Sequence, residues 1–107
     1  MTFKLKPNPT FWAKVEIHRP GEGPSVLEVE FAHRGFREAS ELASEISAGM
    51  PRERQLEVLV SLVRSWRGAD GEFSEAALRD AAEDFPGLAA SMLTAYLEEL
   101  RGARRKN

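Results

Sequence analysis

Ala13-Lys14-Val15-Glu16-Ile17-His18, then Arg19-Pro20-Gly21-Glu22-Gly23-Pro24, then Leu27-Glu28-Val29-Glu30-Phe31-Ala32 is the stretch that decides the fold. In both outer runs apolar and polar residues alternate, which is the period-2 pattern of a half-buried strand. The prolines and glycines between them can continue neither strand. The reading is an antiparallel hairpin with a loop of about six residues, longer than the tight two-residue type. An isolated hairpin is marginal in water, so the rest of the chain or a partner must cover its apolar face. Upstream, Phe3 to Lys6 is the one segment that could add a third strand. Met1 to Thr10 carries Lys4 and Lys6 without a following apolar run, so it does not read as a signal peptide.

Downstream of Gly35 the apolar spacing changes to that of a helix and stays there. Ala39, Leu42, Ala43 and Ile46 mark one face of a first helix that stops near Gly49, with Pro51 beyond it. Leu56, Leu59, Val60, Val63 and Trp66 then follow at i, i+3, i+4, i+7 and i+10, a second helix with Trp66 near its end. Read as a buried aromatic, Trp66 would cost ~3–5 kcal/mol on truncation to alanine. Two glycines break the pattern over Arg67 to Glu72. Ser74 then reads as the N-cap of a short third helix running to about Asp84, with Ala77, Leu78, Ala81 and Ala82 inward. Pro86 disfavours a helical Phe85 and separates a fourth helix, from about Pro86 or Gly87 to Arg101. On that helix Leu88, Ala89, Met92, Leu93, Tyr96, Leu97 and Leu100 spread over about half the circumference, wider than one core face needs. Leu93, Leu97 and Leu100 sit at the far edge of this arc and are the expected partner-binding positions. Arg101, Arg104, Arg105 and Lys106 end the chain as a basic tail.

The expected architecture is one α+β domain over residues 1–107: a strand region at 1–34, four helices within 35–102 and a basic tail at 103–107. With 42% hydrophobic residues, a chain of this length can build a small core without staples. It has no cysteine, which excludes disulfides, thiol nucleophiles and thiolate zinc sites. Fifteen Lys plus Arg against 17 Asp plus Glu leave a net charge of −2, so no overall positive field draws the chain to nucleic acid or an anionic membrane. No apolar run reaches the ~18 residues of a membrane span.

Candidate chemistry fails residue by residue. His18 and His33 flank the hairpin without a helix-spaced second histidine, so no metal ligand set forms around them. Glu28 with Glu30, and Glu98 with Glu99, lie on exposed faces where no burial would raise one pKa for acid catalysis. Asp70-Gly71-Glu72-Phe73-Ser74 has the look of a calcium loop, but aligning Gly71 puts Trp66, Gly68 and Ala77 at the first, third and twelfth ligand positions. The expectation is therefore no catalytic residue, no cofactor and no metal. The Arg-rich last turn is the one place for phosphate contacts, and the acidic stretch from Asp70 to Asp84 argues against a nucleic-acid groove.

The succession of motifs resembles the tail assembly chaperones of long-tailed bacteriophages and prophages. The likeness covers nearly the whole chain, from Phe3-Lys4-Leu5-Lys6-Pro7-Asn8-Pro9-Thr10-Phe11 through Phe31-Ala32-His33-Arg34. More specific are Trp66 closing a helix, Gly71-Glu72-Phe73-Ser74, Phe85-Pro86-Gly87-Leu88-Ala89, Ala95-Tyr96-Leu97-Glu98-Glu99-Leu100, and the ending Ala103-Arg104-Arg105-Lys106-Asn107. Phe85 stands where the family more often has tyrosine. The resemblance implies a non-enzymatic chaperone in the host bacterial cytoplasm. Its client would be the helical, aggregation-prone tape measure protein, kept soluble while tail tube subunits polymerise, and the chaperone would be absent from the mature virion. The tail tube protein is a second implied partner, and homo-oligomerisation is left open. A structural tail or tail-completion component and a DNA-associated regulator are the alternative readings.

Overall fold

The hairpin forms as β1 (Thr10–Arg19) and β2 (Gly23–Ala32) in the computed structural model, which describes residues 2–102. Phe11 faces Phe31, Ala13 faces Val29 and Val15 faces Leu27, so the apolar residues of both strands share one face. A one-residue slip would send that whole set to solvent, which fixes the register. The loop is shorter than the sequence suggests. Only Pro20, Gly21 and Glu22 lie between the strands, and Glu22 N donates to Arg19 O at 2.9 Å. Pro20 followed by Gly21 at φ +80° suits a turn that needs a left-handed third residue. Pro24 joins β2 where that strand has one neighbour, and its missing donor costs nothing there.

Behind the hairpin come α1 (Phe36–Ser47), α2 (Arg52–Leu62), β3 (Val63–Arg67), α3 (Glu75–Asp84) and α4 (Leu88–Arg101). The α+β class and the four helices are as expected, but the third strand is not where the sequence put it. Phe3 and Leu5 are 82% and 87% exposed and form no strand, whereas Val63 to Arg67 pairs antiparallel with the free edge of β2. Val63 and Trp66 are therefore strand residues and not the end of a helix. A register shift between Glu30 and Phe31 explains the misleading spacing. Trp66 faces Val29 and Val63 faces Phe31, so the bulge brings residues three apart onto one face of a strand.

The helices cover one face of the sheet, which has the order β1-β2-β3. The fourth helix lies on β1 and packs against both α2 and α3. Its wide apolar arc is accounted for by neighbours on several sides: Leu88, Met92, Leu93 and Tyr96 are at most 2% exposed. The Tyr96 ring stacks on Phe11 at 5.6 Å and meets Phe31 at 5.1 Å, and its hydroxyl donates to Ala32 O at 3.0 Å. Ser74 caps α3 as expected, its hydroxyl accepting from Ala77 N at 3.0 Å. Trp66 is half-buried, set edge-on to Phe73 at 5.1 Å, with Nε1 donating to Gly71 O at 2.9 Å. Arg104, Arg105 and Lys106 lie outside the described residues.

Candidate partner-binding surface

The first helix is the least buried element of the helical layer. Of its apolar stripe only Ala39 is fully buried, while Leu42, Ala43 and Ile46 are half-buried. Open recesses lie on either side of it. One, of about 810 Å³, separates α1 from α2 and has Ala39, Leu42, Val58, Leu62 and Tyr96 along its floor. The other, of about 530 Å³, lies between the start of α1 and the end of α4, with Phe36, Ala39 and Leu100 among its lining residues. Both are lined by Arg34, Ala39 and Ser40, at and just before the first turns of the helix. Phe36 lines the second of them and is 87% exposed.

Charged groups frame this surface in pairs. Arg54 Nε lies 3.1 Å from Glu45 Oε1 of α1, and the same guanidinium also pairs with Glu57 of its own helix. Hydrogen bonding to Glu45 and then to Glu57 holds the Arg54 pKa above the usual arginine value. Arg34 Nε lies 3.3 Å from Glu38 Oε2, and its Nη1 donates to His33 O at 3.0 Å. Such solvent-exposed pairs add little stability, so they fasten α1 lightly. The arrangement suits noncovalent docking of an apolar helix edge.

Of the three positions expected to bind a partner, Leu93 and Leu97 are buried in the folded chain. At 2% and 9% exposed they belong to the core cluster, because α4 is enclosed by α2, α3 and the sheet. Leu100 is half-buried and lines the second recess. The sequence reading passed over Phe36, Leu42 and the recess floor. Its one usable signal was the narrowness of the α1 stripe, with Phe36 standing just outside it.

His18 is exposed, and His33 lines the second recess beside Arg34 and Arg101. Among the described residues no three His, Cys, Asp or Glu side chains gather as a metal-ion site, and no helix is long and apolar enough to cross a membrane. A family model for the phage tail assembly chaperone matches residues 1–107. No curated protein and no solved structure matches the chain.

Proposed function

Because the chain belongs to the phage tail assembly chaperone family, we propose that it acts without catalysis, holding the tape measure protein soluble while the tail tube assembles. The observation that supports this reading is the pair of recesses flanking α1. They form an apolar floor open to solvent, bordered by charge, on which an amphipathic helix of the client can lay its apolar face. Phe36, Leu42 and Leu100 are the contacts this assigns. Covering the client's apolar stripe prevents its self-association, and the charged outer surface of the chaperone keeps the complex in solution. The role belongs to the host cytoplasm and ends before the virion is complete.

Co-expression with the cognate tape measure protein tests the reading, with soluble complex as the readout. Phe36→Glu adds charge at a solvent-exposed position, so the variant keeps the wild-type fold and loses most of the complex. Leu97→Glu places charge in the core and unfolds the chaperone. A folded Phe36→Glu together with a folded Leu42→Ala that both retain full complex would remove the α1 surface from the mechanism. Recovery of the chain in purified mature virions would favour a structural tail component instead.

A further inference from the structure

A third recess, of about 640 Å³, lies where the turn end of the hairpin meets the β3–α3 loop and one face of α3. Its floor is apolar and partly open: Trp66 and Phe85 are half-buried, and Ile17, Leu27 and Leu88 also line it. Ala77, Asp80, Ala81 and Asp84 line it at i, i+3, i+4 and i+7, one face of α3 in which alanines permit close approach and aspartates flank them. Asp70 and Glu72 close the far wall. That wall is held in place by the Trp66 bond to Gly71 O, and by Gly68, whose φ is +97° and where an added Cβ would stand 3.5 Å from Val26 O.

The charge pattern distinguishes this groove from the α1 surface. Around α1, Glu38, Glu45 and Glu57 are each paired with an arginine. Here none of Asp70, Glu72, Asp80 and Asp84 has an ion pair or side-chain hydrogen bond among the described residues. Among the described residues Arg19 is the one cation lining the groove, and it is engaged by Glu22 at 3.0 Å. Four uncompensated carboxylates around an apolar floor attract cations and repel acidic surfaces, selecting a partner by sign as well as by shape.

We propose that this groove is a second docking surface, which takes an amphipathic helix of a partner protein carrying Lys or Arg residues beside a narrow apolar stripe. Its apolar residues cover Trp66 and Phe85, the alanines of α3 let the two helices approach, and its cations sit opposite Asp80 and Asp84. The proposal does not depend on which protein occupies the α1 surface.

The test uses the full chain, isotope-labelled for amide spectra, and a synthetic leucine–lysine amphipathic helix as probe, with a leucine–glutamate helix of equal length as control. The lysine helix shifts amides of residues 68–72 and 77–84, the glutamate helix does not, and binding weakens roughly tenfold or more between low and high salt. Asp80→Lys with Asp84→Lys changes two exposed positions, so the fold is kept; affinity for the lysine helix falls at least about tenfold and the glutamate helix now binds. Unchanged affinity in that double variant overturns the proposal, as do shifts confined to α1 or to the outer face of the sheet. Concentration-dependent shifts of the same amides in the chain alone would make the occupant a second copy and would also overturn it.

Discussion

Tyr96 joins sheet to helix: its ring lies between Phe11 and Phe31, and its hydroxyl satisfies the carbonyl of Ala32 at the end of β2. Tyr96→Phe keeps the packing and orphans that carbonyl, so it costs about 1–2 kcal/mol in urea unfolding. Burial pushes the hydroxyl pKa up to about 12 from an ordinary value of 10.0, with Arg34 opposing and Glu38 adding to the shift. The unfolded chain therefore releases this proton first. The stabilisation is complete below pH 10 and is lost as pH rises to about 12, on the order of 2 kcal/mol. Tyr96→Phe lacks this part of the alkaline decline, and because Tyr96 is the only tyrosine, phenolate absorbance follows it directly. Trp66 obeys a gentler rule. Being half-buried, with one hydrogen bond and one edge contact, it loses about 2–3 kcal/mol on Trp66→Ala, less than a fully buried ring does. Urea unfolding with an unchanged slope checks the figure.

At the scale of elements, Ser74 is the clearest test of local reading. Ser74→Ala removes the bond to Ala77 N and costs about 1 kcal/mol, while Ser74→Gly costs only a few tenths, both measurable as shifts in the unfolding midpoint. This cap, the hairpin, and the helices α1, α3 and α4 are legible because each rests on a periodicity or a residue type that acts within a few positions. The third strand is not. Val63 and Trp66 have the three-residue spacing of a helix face, and only the bulge opposite Glu30 and Phe31, a feature of pairing between distant segments, makes that spacing compatible with a strand. The α4 arc was read correctly as unusually wide. Its width reflects enclosure by α2, α3 and β1, which no single helix pattern reveals, so Leu93 and Leu97 lie in the core and Leu100 at its margin. Both grooves likewise stayed hidden, since each is lined by residues from three or more segments.

The whole molecule is a three-stranded sheet with helices on one face, and its helical layer is unevenly sealed. On the α4 side Leu88, Met92, Leu93 and Tyr96 are at most 2% exposed, and this is where stability resides. On the α1 side a lightly fastened helix stands between two open recesses, and low burial of this kind belongs to surfaces that exchange partners. A chaperone that must release its client profits from that division, because the binding face can adjust without disturbing the core. The central claim is that the client sits on the α1 surface. Its most direct test is site-specific photo-crosslinking in cells assembling tails, with the photoreactive residue at position 36 or, as control, at exposed position 94 of α4. The account predicts that position 36 captures the tape measure protein and position 94 does not. Capture from position 94 alone, or no tape measure protein from either position in cells that still assemble tails, would contradict it.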